Sequence, residues 1–155
     1  MRLFVSIPLP DAQRDHLEQA LHGGRTTDPY RWHLTLAFLG EREDDLAVMD
    51  ALSTIERAPL SLRLWGSGAF AGVEWVGVSG DVTALHDLAA AVSDACGLPR
   101  TTYKPHVTVA RRGRALPPAD YAGPPWTVES FDLVESVLTR PVEHVTLATF
   151  PLQDG

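Results

Sequence analysis

The string His33-Leu34-Thr35-Leu36 returns as His106-Val107-Thr108-Val109, and both copies close the same local plan. In the first, the apolar run Leu3–Ile7 is followed by Asp11, read as the cap of a helix through Leu21. Gly23-Gly24 stops that helix and the His33 string follows. In the second, the run Val73–Val78 is followed by Asp81, read as the cap of a helix ending at Cys96. Gly97 stops it and the His106 string follows. A strand–helix–strand unit used twice restricts the fold sharply. Duplicated units commonly pack about a pseudo-twofold axis, which sets the two His-x-Thr strands opposite one another across a shared cleft.

In a strand, residues two apart share a face, so His and Thr of each string point the same way. An imidazole titrating near neutral pH beside a hydroxyl donor is half of an acid/base site for phosphate chemistry. Two copies supply both halves, one histidine to take a proton and one to give it. Thr35 and Thr108 are placed to hold an anion between them. Either histidine alone would read as an ordinary strand residue; the matched context makes the pair a candidate site. Strict alternation sends Leu34, Leu36, Phe38, Val107 and Val109 to the core, and leaves Ala37 and Ala110 as small residues on the His/Thr face. A third string, His144-Val145-Thr146-Leu147, lacks the preceding strand–helix unit and a basic flank. It reads as a structural strand with a partly exposed histidine.

Charge sharpens the picture. The chain of 155 residues carries a net −7, which disfavours coating of long nucleic acid. Yet no acidic residue falls between Ala95 and Ala119, where Arg100, Lys104, Arg111, Arg112 and Arg114 bracket His106. A cationic patch on an acidic body suits a small anionic target or a phosphorylated end. Strand parity with His106 and Thr108 favours Arg112 over Arg111 as the cleft residue, unless the strand ends or bulges first. Trp32, Phe70, Trp75, Tyr103 and Trp126 are candidates for stacking on a base.

The single Cys96 lies on a helical stripe with Leu85, Leu88, Ala89 and Val92 and reads as a packed thiol. No Cys-x-x-Cys or His-Glu-x-x-His spacing points to a metal, so no metal and no cofactor are expected. No apolar run approaches the ~18 residues of a membrane span, and the N-terminus does not read as a signal peptide. A cytoplasmic monomer is expected. The coarse element order is strand 2–8, helix 11–22, strand 31–39, helix 43–57, strand 60–65, strand 73–79, helix 82–96, strand 105–111, and strands near 127–139 and 143–150. The glycine-rich segment 66–72 reads as a loop or hairpin, and 116–125 as a proline-rich excursion. Residues 1–155 are expected to form one domain of two pseudo-symmetric lobes.

With both strings in place the chain resembles the 2H phosphoesterase superfamily, and within it the RNA 2′,3′-cyclic phosphodiesterases, historically called 2′-5′ RNA ligases. The resemblance rests on Met1-Arg2-Leu3-Phe4-Val5, His33 through Glu41, Gly68-Ala69-Phe70 with Glu74 through Val78, Pro105 through Arg111, and Phe150-Pro151-Leu152. It implies a bilobal α+β fold with mainly antiparallel sheets facing a central cleft. It further implies metal-independent opening of a 2′,3′-cyclic phosphate on RNA ends or nucleotides to a 2′-phosphomonoester. By that analogy His33 is the proton donor and His106 the proton acceptor. Thr35 and Thr108 bind phosphate oxygens, and the phosphate-binding arginine is Arg111, against the parity argument for Arg112. Alternatives are another phosphoesterase of the superfamily (acting on ADP-ribose cyclic phosphate or 2′-5′ oligoadenylate), a reversible 2′-5′ RNA ligase, or a non-catalytic module binding RNA ends or nucleotides.

Overall fold

The computed structural model describes residues 1–21 and 24–154. The end of the first expected helix at residue 22 and its stop at Gly23 lie outside the described residues. Among the described residues, eight strands and three helices follow one another as β1 (Arg2–Pro8), α1 (Asp11–Ala20), β2 (His33–Glu41), α2 (Asp45–Leu52), β3 (Leu60–Phe70), β4 (Val73–Gly80), α3 (Val82–Ala95), β5 (Val107–Arg111), β6 (Trp126–Val128), β7 (Ser130–Val137) and β8 (Glu143–Pro151). A 3₁₀ turn, Pro29–Arg31, leads into β2.

Two four-stranded antiparallel sheets result, ordered β2-β1-β7-β8 and β5-β4-β3-β6. The orders correspond strand for strand. The unit β1-α1-β2 matches β4-α3-β5, as the duplicated strings require, and each motif strand is the edge of its sheet. One apolar cluster runs through both halves, including Val5, Ile7, Leu34, Leu85, Leu88, Val107 and Phe131. Burial of such side chains, each worth roughly 1.5–3 kcal/mol, fixes the sheets against their helices. Cys96 is buried in this cluster, and burial pushes its thiol pKa up.

Several local expectations are corrected. Asp11 does not cap α1; Pro10 is the N-cap and Asp11, inside the helix, pairs with Arg14 at 3.0 Å. The Asp81 side chain does not cap α3 but accepts the Ser61 N–H across to β3 at 2.8 Å. The helix expected over 43–57 is shorter. Asp44 caps its start on the Ala47 N–H at 3.0 Å, and the Ser53 and Thr54 hydroxyls donate to the carbonyls of Asp50 and Ala51 at its end. Gly97, at φ +68°, stops α3 as expected, with the Leu98 N–H reaching back to the Ser93 carbonyl. Of the two readings of segment 66–72 the hairpin holds: β3 continues to Phe70, turns at Ala71-Gly72 into antiparallel β4, and pairs with it irregularly between Leu64 and Ser67. The expected strand 127–139 divides into β6 and β7, which belong to different sheets.

Candidate active site

Both motif strands break their alternation at the same place. Val5 pairs with Ala37 and Ser6 with Thr35, leaving Leu36 unmatched on β2. Glu74 pairs with Ala110 and Trp75 with Thr108, leaving Val109 unmatched on β5. A bulge three residues after each histidine therefore puts two successive side chains into the core. Leu36 and Ala37 are buried together, as are Val109 and Ala110.

This overturns the strict-alternation reading. Ala37 and Ala110 do not line the His/Thr face; they are core residues. Phe38, expected in the core, is 71% exposed. The residue five positions after each histidine returns to the cleft face, and it is Phe38 in one copy and Arg111 in the other. Arg112 does not line the cleft. It sits beyond the strand at φ +63°, with its N–H donated to the Gly72 carbonyl at 2.6 Å. Next to it, Gly113 at φ +69° completes the left-handed turn, and the Arg114 N–H is held by the buried Glu74 carboxylate at 2.7 Å.

The bulges are held from across the molecule. The Val109 carbonyl accepts the Thr27 N–H at 2.9 Å and the Thr27 hydroxyl at 3.2 Å, and that hydroxyl accepts the Trp32 indole N–H at 3.0 Å. In the other direction the hydroxyl of half-buried Tyr103, its pKa raised by desolvation, donates to the Thr35 carbonyl at 2.7 Å. Each motif is thus tied by the segment that precedes its counterpart. Trp32 and Tyr103 serve this scaffolding, and none of the five aromatics proposed for stacking lines the cleft.

Between the edge strands lies a cleft of about 530 Å³ that brings together His33, Thr35, His106, Thr108 and Arg111. His33 Nδ1 is 2.6 Å from the Arg31 carbonyl oxygen, and His106 Nδ1 is 2.8 Å from that of Lys104. A carbonyl only accepts, so Nδ1 carries the proton in both rings. Each Nε2 is left free for chemistry.

The two imidazoles live in different surroundings. His106 is exposed, whereas His33 is half-buried and stacked on Phe4 with ring centroids 4.8 Å apart. His144 also lines the cleft, edge-on to His33 at 5.4 Å and to Phe4 at 5.1 Å. His144 is a half-buried strand residue, as expected, and the pairing of Ser136 with His144 also brings its ring to the cleft wall. Burial is the main reason that the His33 pKa lies below 6.5; the Arg31 carbonyl opposes this, and charge on His144 and His106 adds to it. His144 is likewise lowered by burial and by Arg31.

Of the basic patch, only Arg111 reaches this cleft; Arg100 is engaged with Asp94 at 2.8 Å. Arg2 enters from β1. Among the described residues no three His, Cys, Asp or Glu side chains converge on a point where a metal ion would bind, and no helix is long and apolar enough to cross a membrane. Around one space the site gathers the free Nε2 atoms of His33 and His106, the ring of His144, the hydroxyls of Thr35 and Thr108, and Arg111 with Arg2. That set can hold an oxyanion and move protons on either side of it.

Comparison with known proteins gives the same picture of the fold. The family model described as the 2′-5′ RNA ligase superfamily matches residues 9–140. An RNA 2′,3′-cyclic phosphodiesterase of Thermus thermophilus is 33% identical over 165 aligned residues, covering 89% of this chain and 83% of its own. One of Archaeoglobus fulgidus is 31% identical, covering 87% of this chain and 86% of its own. The crystal structure of E. coli LigT in apo form superimposes with a TM-score of 0.84 at 26% identity, over 99% of this chain and 98% of that one.

Proposed function

We propose that this chain, which belongs to the 2′-5′ RNA ligase superfamily, hydrolyses the 2′,3′-cyclic phosphate of an RNA end or nucleotide to a 2′-phosphomonoester. The observation that carries the reading is the pair of free Nε2 atoms, each fixed by an Nδ1–carbonyl bond, in one cleft with Arg111. The names of the Thermus and Archaeoglobus relatives support the same substrate class.

In this reaction a water oxygen attacks phosphorus while the bond from phosphorus to O3′ breaks. His106 Nε2 takes the proton that water loses, and protonated His33 gives its Nε2 proton to the departing O3′. The product carries a 2′-phosphate and a free 3′-hydroxyl. Thr35 and Thr108 donate hydrogen bonds to the non-bridging oxygens, and Arg111 offsets the charge that gathers there. The donor role places one demand on His33. Its pKa is lowered in the free protein, so the arriving phosphodiester anion supplies the negative charge that favours its protonated form.

The test is incubation of the purified protein with the four nucleoside 2′,3′-cyclic monophosphates and identification of the product isomer. The 2′-monophosphate is expected. His33→Ala and His106→Ala should each lower turnover by ~10²–10⁴, the range for one general acid or base. A 3′-monophosphate product, or turnover indifferent to either substitution, would overturn the reading.

A further inference from the structure

The two lobes end their motif strands differently. In the first, β2 runs on past Phe38 to Glu41, so Phe38 sits inside a paired strand. In the second, β5 ends at Arg111 itself, and the chain turns away through Arg112 at φ +63° and Gly113 at φ +69°. A side chain on the last residue of an edge strand has no following ladder to hold it. What holds this one comes from the neighbouring strand.

Arg111 pairs with Val73 of β4, and the Arg112 N–H donates to the Gly72 carbonyl at 2.6 Å. Glu74, the next residue of β4 and the partner of Ala110, accepts the Arg114 N–H at 2.7 Å. The left-handed pair is thus pinned on both sides. Glu74 is 2% exposed, and its other carboxylate oxygen has no partner among the described residues. Burying a carboxylate costs far more than burying an alkyl side chain, so core packing alone does not account for it.

The repeat supplies the comparison. The residue matching Glu74 in the first lobe is Val5, which pairs with Ala37 as Glu74 pairs with Ala110 and is fully buried. An apolar side chain therefore suffices where the strand continues and delivers Phe38. The carboxylate stands in the lobe that delivers Arg111.

We propose that Glu74 is a positioning residue for Arg111: by holding the Arg114 N–H it closes the turn that ends β5 and keeps the guanidinium in the phosphate site. The proposal rests on the phosphate reading argued above and adds the group that makes its arginine effective. Glu74 touches no substrate; it acts through the backbone of residues 112–114. The turn needs an acceptor oxygen from it, which a neutral amide also offers.

The experiment removes the acceptor with and without the arginine. Glu74→Leu fills the core but accepts no N–H, whereas Glu74→Gln keeps the oxygen. The kcat/KM for adenosine 2′,3′-cyclic monophosphate is measured for each, alone and combined with Arg111→Ala. Glu74→Leu should lower it about 5- to 50-fold where Arg111 is present and less than about twofold where it is absent, a coupling expected of groups that act as one. Glu74→Gln should restore most of the activity. The Arg114 amide should exchange slowly with solvent in wild type and Glu74→Gln, and fast in Glu74→Leu. If Glu74→Leu does not fold, Gly113→Val opens the same turn from its exposed side. A Cβ there meets nothing within 4 Å, so only the left-handed backbone opposes it, and the loss should show the same dependence on Arg111.

A loss of equal size with and without Arg111 would mean that Glu74 only supports the fold, and would overturn the proposal. So would an unchanged kcat/KM in Glu74→Leu while the Arg114 amide exchanges fast, for the turn would then be open and the arginine unaffected. Glu74→Gln as impaired as Glu74→Leu would show that charge, and not the turn bond, is at work, and the proposal would fall. If wild type turned over no cyclic nucleotide, the hydrolytic reading would fail on its own. Calorimetric titration with inorganic phosphate would then decide: Glu74→Leu should weaken binding only where Arg111 is present, and equal weakening or none refutes the positioning role.

Discussion

Arg111 and Arg112 are adjacent, equally charged and both exposed, so substituting each in turn isolates the effect of the bulge. In the proposed reaction Arg111 faces the phosphate, and Arg112, turned away at φ +63°, does not. Removing a charge-assisted hydrogen bond costs about 1.5–3 kcal/mol, so Arg111→Ala should lower kcat/KM for a 2′,3′-cyclic nucleotide about 10- to 150-fold. Arg111→Lys should recover part of this, since it restores the charge without the planar fork. Arg112→Ala should stay within about 0.5 kcal/mol, near twofold, as for an ordinary surface change. Arg112→Gly suits the left-handed backbone and controls for damage to the turn. Initial rates are read at low and at 0.2 M salt. Wild type should weaken with salt, and Arg111→Ala should show a flatter dependence, because the charge being screened is gone. Comparable losses at both positions would refute the bulge argument, and a larger loss at Arg112 would restore strict strand parity.

The lowered pKa of His33 puts the alkaline limb of kcat/KM below 6.5, because the donor must be protonated and kcat/KM reports the free enzyme; the kcat limb should lie higher, since the bound anion favours the imidazolium, and a kcat/KM limb at or above 6.5 would contradict the donor assignment. His144→Phe keeps a ring beside His33 but removes a charge that lowers it, so that limb should move upward with only a small change in rate at its optimum; a pH profile identical to wild type would show that His144 does not act on His33. Stability has its own sign. The unfolded chain binds protons at His33 and His144 more tightly than the folded one, so urea midpoints should fall as pH drops through 6.5 toward the lowered values, and a double substitution with phenylalanine should flatten that slope. Turnover should survive exhaustive chelation, since protons and an anion site suffice for the proposed step; loss in EDTA with recovery on adding a divalent ion would sink the metal-independent mechanism.

The duplicated strings were enough to read the repeated unit, the cleft between its copies and both histidines, because a His-x-Thr face depends only on strand periodicity. What alternation missed lies just beyond, where Leu36-Ala37 and Val109-Ala110 bury two neighbours in a row. Strict parity put Phe38 in the core and Arg112 in the cleft, both wrongly. The cue was present as the same apolar doublet at the same offset in both copies, each followed by a side chain that does not belong in the repeat's core. Arg111, by contrast, is reached by family resemblance and by Gly113, which signals that the strand is ending and parity fails there. His144 was hidden for another reason. Its place beside His33 comes from β1 lying between β2 and β7 and from the β7–β8 pairing, both contacts between residues far apart in sequence. Local pattern carries no information about which strand will lie next to which. The capping errors at Asp11 and Asp81 were of a third kind: each carboxylate had a competing partner, Arg14 in one case and the Ser61 N–H in the other.

A site built from two copies of one motif needs something to make its halves unequal, since hydrolysis by a donor and an acceptor requires one imidazolium and one imidazole at once. The motifs themselves cannot do this, for their histidines share backbone bonds, tautomer and neighbouring threonine. The difference enters from outside the repeat. Phe4 and His144 enclose His33, while His106 stays open to water beside a run of basic residues. An enclosed ring loses solvation of its charged form and depends on a bound anion to recover it; an open ring does not. Substrate therefore favours the protonated form of His33, and the half that responds to the anion is the half assigned to give the proton. Removing the enclosure should reduce the asymmetry. A variant that opens the His33 side, such as Phe4→Ala with His144→Ala, should raise the free-enzyme limb toward 6.5 and narrow its separation from the limb seen in kcat. An unchanged separation would show that the asymmetry lies elsewhere.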